Sequence, residues 1–315
     1  MKENIINRLF KNLFNKKVKE NAGNESEEVF SDTDYLHLTE IYFKNKWIRH
    51  KANYTGFEVL WSDFTDSKEK AIIKKLISSF RYLTNEEADE LCLKSLKKMI
   101  LQWKLNPLDT LFVATKMGPS PDGSNNFMGY IKDILHEINE AWSERNLFTS
   151  IEESKHFLIS NPTKRSRRIR KIVLMDDFVG TGKTADERMK HFKEDLADRE
   201  VKIYFFALAG MELGFKLLKK NNREFISCIE LKKGTELSYP IWEREKVLKK
   251  ITNMESILSE KIKKRELKDH SLGWGKSEAL YTWTRFNIPN NVYPIFWWRK
   301  YKDNGNRKTM FNRMQ

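Results

Sequence analysis

Nine residues, Asp176-Asp177-Phe178-Val179-Gly180-Thr181-Gly182-Lys183-Thr184, combine the residue types and spacing best suited to chemistry in this chain. Two adjacent carboxylates can accept hydrogen bonds from sugar hydroxyls or hold a divalent cation. The Gly/Thr turn behind them opens into a helical pattern. It offers backbone N–H groups, hydroxyls and a helix N-terminus to a phosphate. Together these features describe a site for a phosphorylated sugar; the bland alternative is an acidic pair capping a helix after a strand. A Walker A loop is excluded. Gly182-Lys183-Thr184 mimics its end, but Asp177 stands where that loop requires its first glycine.

The acids need a scaffold. The apolar run 172–175 ahead of them reads as a buried strand, and Ala185, Met189, Phe192 and Leu196 mark the helix behind. Further strands are expected at 110–115, 157–159, 201–208, 225–231 and 279–284. One intervening helix carries Phe127, Ile131, Ile134, Leu135 and Ile138 on one side, and another runs through Leu217. Strands separated by helices of this length imply an α/β fold, with a mostly parallel, Rossmann-like sheet and right-handed crossovers. Ligands of such sheets bind at the carboxyl ends of the strands, where Asp176 and Asp177 fall.

Around this core the chain divides by pattern. Residues 1–20 form a basic amphipathic stripe that could lie on a membrane, dock on a partner or pack on its own domain. Residues 21–34 read as an acidic linker, and 35–106 as a helical N-terminal region. There Asp66 with Glu69, and Thr84 with Glu87, have capping-box spacing. The core is expected over 107–298, with a helical insertion at 242–265 whose seam is Val247, Ile251, Met254 and Leu258. Residues 299–315 read as a loose basic tail.

A formal charge of +14, from 58 basic and 44 acidic residues, favours polyanionic partners, nucleic acid or an anionic membrane; a Lys-rich genome would give the same surplus. No apolar run approaches the length of a membrane span. Cys92 and Cys228 sit in apolar patterns without metal spacing, as in a reducing cytoplasm. The six histidines lack metal-ligand spacing too.

The stretch Leu174-Met175-Asp176-Asp177, followed by Thr181-Gly182 and Thr184, resembles the phosphoribosyl-pyrophosphate (PRPP) motif of type I phosphoribosyltransferases. Gly180 stands where that family usually has its first Thr. A second constellation, Ser277-Glu278-Ala279-Leu280 with the run from Asn287 through Asn290, Asn291 and Pro294 to Trp297 and Trp298, completes a wider resemblance. It is similar to the phosphoribosyltransferase-like proteins of bacterial conflict systems, some of them encoded beside retron reverse transcriptases.

The resemblance implies that Asp176 and Asp177 bind the ribose hydroxyls, directly or through Mg²⁺, and that Gly180, Thr181, Gly182, Lys183 and Thr184 wrap the 5-phosphate. It implies a pyrophosphate loop carrying Lys116, Gly123 and Ser124, where an ordinary βα turn is the alternative. Glu278, Asn290 and Asn291 fall on the base or acceptor side, while at least one of Trp297 and Trp298 is expected instead to close the core. A catalytic flexible loop would have to come from 152–156 or from the basic run 164–171. That run reads otherwise as a solvated lead-in to a strand or a clamp on nucleic acid. The implied activity is Mg²⁺-dependent phosphoribosyl transfer or N-glycosidic cleavage of a nucleotide, in antiphage defence. The rival expectation is a non-catalytic nucleotide sensor in a nucleic-acid-bound complex, such as one with a reverse transcriptase.

Overall fold

The computed structural model describes residues 32–49, 51–116, 123–160 and 162–313. The basic arm 1–20, most of the linker 21–34 and residues 117–122 of the expected pyrophosphate loop lie outside them. The chain forms two compact units, Met1–Arg81 with Gly234–Leu272 and Val292–Gln315, and Tyr82–Lys233 with Gly273–Asn291.

The second unit holds the sheet. In chain order it runs α1 (Asn85–Gln102), β1 (Thr110–Ala114), α2 (Gly123–Ile138), β2 (Leu147–Phe148) and β3 (Lys171–Val179). It continues with α3 (Lys183–Asp195), β4 (Lys202–Met211), α4 (Glu212–Lys220) and β5 (Phe225–Leu231). The five strands are parallel in the order β2-β1-β3-β4-β5. Strand residues alternate between two covered faces, which is why β1, β3 and β4 read as continuous apolar runs. Leu111, Ile172, Leu174 and Phe205 pack with Met189 and Phe192 of α3 and Phe215 of α4. On the other face Phe127 of α2 stacks on Phe206 at 6.2 Å and Trp103 on Tyr204 at 4.4 Å.

The chain leaves β1 for β2 on one side and returns for β3 on the other, so the order reverses between β1 and β3. β1 stops at Ala114, opposite Met175, whereas β3 runs on beside β4 to Val179. The acidic pair therefore lies in the crevice where β1 has ended, at the topological switch point.

Several expectations are corrected. Residues 157–159 are not a strand; Ile151–Lys155 is helical and His156–Ser160 a π-turn, because Ile151, Ser154 and Leu158 bury at helical spacing. The missed edge strand is β2, only two residues long. The 107 boundary moves back, because α1 buries Ala88, Cys92, Leu96 and Met99 within the sheet unit. Within 279–284 only Tyr281–Trp283 is a strand, and it pairs with Arg81–Leu83 rather than joining the five-stranded sheet. A left-handed Glu278, φ 53°, turns the chain just before it.

The other unit is helical, with Asp32–Lys44, Lys51–Ser62, Ser67–Ser78 and Ile241–Glu255. Asp32–Lys44 starts inside the segment expected as linker. The insertion expected over 242–265 ends its helix at Glu255; Lys261–Ile262 and Arg265–Glu266 then form a small hairpin, whose turn holds Lys263 at φ 53°. Residues 299–313 are packed rather than loose. Tyr301 and Arg307 both bind Asp63 at 2.8 Å, and Phe311 is buried. Trp297 and Trp298 are fully buried, closing this core.

Candidate functional site

Asp176 and Asp177 are successive strand residues and so face opposite sides of the sheet. Asp176 lies on the α3 side. Its Oδ2 accepts from Thr115 Oγ1 at 2.8 Å, with Arg188 Nη1 of α3 at 3.9 Å, and its Oδ1 accepts from the backbone N–H of Asp177 at 3.0 Å. Asp177 lies on the α2 side, against the first residue of that helix. A Cβ at Gly123 would sit 2.3 Å from Asp177 Oδ1, so only glycine lets this carboxylate reach the helix start.

Beyond Val179 the chain turns through Gly180, Thr181 and Gly182 into α3. Gly182, at φ 78°, is the N-cap in the left-handed region that favours glycine. The N–H groups of the first turn of α3 have no carbonyl ahead of them within the helix and point back toward the acidic pair's end of the sheet. Lys183 and Thr184 are exposed there, and Thr181 is half-buried.

Two neighbours hold this turn. Gly214 of α4 lies beneath it, where a Cβ would meet Gly180 O at 2.5 Å. Above it lie two residues of the segment 273–291. The Asn291 amide sits where a Cβ on Gly180 would be, and Gly275 lies against the Thr181 methyl. Asn291 is itself fixed, donating from Nδ2 to Trp274 O at 3.2 Å and Ser277 Oγ at 3.0 Å.

The sequence-expected residues thus divide. Asp176, Asp177, Gly180 to Thr184, Gly123 and Asn291 come together. Lys116 follows the end of β1, and its carbonyl accepts from Ile151 N at 3.3 Å, which brings the start of 151–155 to the same end of the sheet. Ser124 is buried at the start of α2. The Glu278 carboxylate is buried against Lys233 Nζ at 2.9 Å, and the carbonyl of Asn290 accepts from Trp274 N. The run 164–171 leads into the amino end of β3, five residues or about 16 Å of strand from Asp176. It is therefore no flexible loop over the acids.

Thr115, Arg188, Gly214 and Gly275 were not singled out from sequence. Gly214 left a signal, since a glycine inside a helix implies close approach of another backbone. Thr115 and Arg188 left none, because their roles depend on the β1–β3 register and on the rotation of α3.

Among the described residues no cluster of three or more His, Cys, Asp or Glu could form an all-protein metal cage. Because the two carboxylates face opposite sides of the sheet, each could serve Mg²⁺ only singly, together with substrate phosphates and water.

The family model PRTase-CE matches residues 57–313. No curated protein matches the sequence. Among solved structures, the Helicobacter pylori xanthine-guanine-hypoxanthine phosphoribosyltransferase is similar at 14% identity and TM-score 0.29, over 55% of this chain and 97% of that one. The orotate phosphoribosyltransferase from Aeropyrum pernix is similar at 11% identity and TM-score 0.28, over 53% and 78%. At those scores the structural likenesses add nothing to the family match.

Proposed function

The chain belongs to the PRTase-CE family, and from that premise we propose that the carboxyl end of β3 binds PRPP, or a nucleotide carrying ribose 5-phosphate, and transfers its phosphoribosyl group or cleaves its N-glycosidic bond. The observation that carries this reading is the placement of Asp176 and Asp177 at the switch point, directly ahead of a glycine turn that opens a thirteen-residue helix.

In this reading Asp177 and Asp176 accept hydrogen bonds from the ribose hydroxyls. Thr181, Lys183, Thr184 and the first N–H groups of α3 bind the 5-phosphate. In transfer, the bond from the anomeric carbon to pyrophosphate breaks with its electron pair leaving on the pyrophosphate. The acceptor's lone pair then makes the new bond. Positive charge develops on the sugar between those steps, and a fixed carboxylate beside it favours that state. Asp176 and Asp177 are the residues that would hold Mg²⁺, whose chemistry here is to neutralise charge on the departing pyrophosphate.

The setting we propose is the cytoplasm of a cell under phage attack, where the protein depletes or modifies a nucleotide or RNA, in company with a retron reverse transcriptase. The free thiols of Cys92 and Cys228 support a reducing compartment. In addition, no helix of the described residues is long and apolar enough to cross a membrane. A reverse transcriptase encoded next door would support the retron setting.

A second reading, nucleotide sensing without turnover, draws support from the engaged state of Asp176 and the clasped turn. The experiment that separates them offers PRPP and mixed nucleotides with Mg²⁺ and follows released pyrophosphate and free base. Catalysis requires turnover that falls at least about a hundredfold in Asp177→Asn. Saturable binding with no product would favour the sensor.

A further inference from the structure

A basic cluster outside the site described above lies at the other end of the sheet. A groove of about 530 Å³ is lined by Asn106, Leu108, Asn146, Arg145, Arg165 and Arg168, among others. It opens beside the amino ends of β1 and β3, and Lys164, Arg167 and Arg170, next to the lining residues in sequence, are exposed.

Three observations mark it as more than a scatter of surface cations. First, its arginines are unpaired. Among the described residues Arg145, Arg165, Arg167 and Arg168 make no ion pair, and two of the neighbouring acids are taken up elsewhere, Glu144 by Lys132 and Asp109 by Lys171.

Second, the fold holds like charges together. Arg165 donates to the backbone carbonyl of Arg145, and its guanidinium lies 5.1 Å from the Phe157 ring. Burial first, and the charge of Arg145 second, draw Arg165 below its ordinary value.

Third, the groove is built rigidly. Thr163 and Ser166 cap each other, with Thr163 N to Ser166 Oγ at 2.8 Å and Ser166 N to Thr163 Oγ1 at 3.1 Å. Arg199 clamps the same turn by donating to Leu158 O and Ser166 O. Asn146, almost fully buried, ties the groove to Pro107 O and Thr110 O.

Guanidiniums kept side by side without acids destabilise the isolated protein, and a polyanion relieves that repulsion. Arginine forks match phosphate oxygens, and asparagine amides can meet base edges. A concave groove admits one strand, whereas a duplex is read by convex elements that enter its own grooves. A flat lipid surface would touch only the rim.

We propose that this groove binds the phosphodiester backbone of a single-stranded nucleic acid, at the end of β3 opposite Asp176 and Asp177. The strand is held by Arg145, Arg165 and Arg168, and the groove is a second site, independent of the sugar-phosphate reading.

The test is fluorescence anisotropy of the full chain with labelled single-stranded RNA and DNA of about twelve nucleotides, titrated from about 50 to about 300 mM NaCl. The variant Arg145→Glu/Arg168→Glu should weaken binding at least about tenfold and reduce the salt slope by about 1.4, the share of two phosphates. Arg145→Gln/Arg168→Gln gives the same direction with less risk to folding, which thermal melting checks. A charge-matched control at the opposite, carboxyl end of the sheet, Lys216→Glu/Lys232→Glu, both exposed, should change binding by about twofold or less. Preference for RNA or for DNA supports the proposal either way and identifies the source of the phosphates. Equal losses in groove and control variants would overturn it. So would failure of both oligonucleotides to bind, or capture of the chain by anionic vesicles but not oligonucleotides. Asp177→Asn should bind oligonucleotide like the native protein, so the two sites fail or succeed separately.

Discussion

The side-chain amide of Asn291 occupies the space that a side chain on Gly180 would need. A Cβ at Gly180 would lie 2.0 Å from Asn291 Nδ2 and 2.6 Å from Cγ. A second segment, 273–291, thus fills the room that a side chain at this position would need. Gly180→Thr should destabilise by about 1–3 kcal/mol through overpacking. Adding Asn291→Ala, which removes all three clashing atoms, should restore most of that loss. Thermal melting of the two single variants and the double variant measures the coupling; additive losses would contradict the contact.

The same pair shows what was legible in the sequence. The acids, the glycine turn and the helix behind them could be read locally, because strand, turn and helix are consecutive and each has its own pattern. Asn291 is expected on the base or acceptor side, yet its partner, more than a hundred residues away, could not be inferred from pattern. The two-residue strand β2 is too short to show alternation. The strand expected over 157–159 failed because three apolar residues fit either period until Ile151 and Ser154 are seen to share their face. The basic run 164–171 was visible as charge and as a lead-in to the 172–175 strand. The groove it shares with Arg145 was not, because a segment some twenty residues earlier supplies the other wall.

Thr115 is expected to act as a positioning residue for Asp176. Thr115→Val keeps the β-branched shape and removes the hydroxyl that donates at 2.8 Å. A carboxylate losing one such hydrogen bond forfeits about 1.5–3 kcal/mol of stability, which should lower the melting temperature, while ribose 5-phosphate binding weakens because Asp176 is no longer held in place. Unchanged affinity for PRPP would deny Thr115 this role.

Glu255 sets a pH dependence of stability. Burial pushes its carboxyl up from 4.5 to about 7, against the opposing hydrogen bonds from Ser271 Oγ at 2.6 Å and Leu272 N at 3.0 Å. The folded state therefore binds a proton more tightly than the unfolded chain. This group's contribution is fully present below pH 4.5 and is lost as pH rises toward about 7. The loss is on the order of 3 kcal/mol. Glu255→Gln should flatten that decline and be the more stable protein at higher pH. Denaturant melts across this range would refute the argument if native and variant declined in parallel.

Arg307 and Asp63 form a buried ion pair, with Nε and Nη2 both 2.8 Å from Oδ2, and Arg307 Nη1 donates to Ile295 O. Arg307→Ala should destabilise by about 3–5 kcal/mol, because it leaves Asp63 charged and buried. Asp63→Ala in the same chain should recover part of the loss. Truncation before residue 299 should behave like Arg307→Ala or worse, since it removes Tyr301 as well. A truncated chain that melts like the full one would contradict the packed tail.

Direct titration of PRPP into the protein in the presence of Mg²⁺ tests the central claim most closely. The native chain should bind saturably, and Asp177→Asn should bind at least about tenfold more weakly while melting at a similar temperature, as expected when a charged hydrogen-bond acceptor for the ribose is lost. Absence of binding by the native chain, or equal affinity in Asp177→Asn, would contradict a sugar-phosphate site at the end of β3.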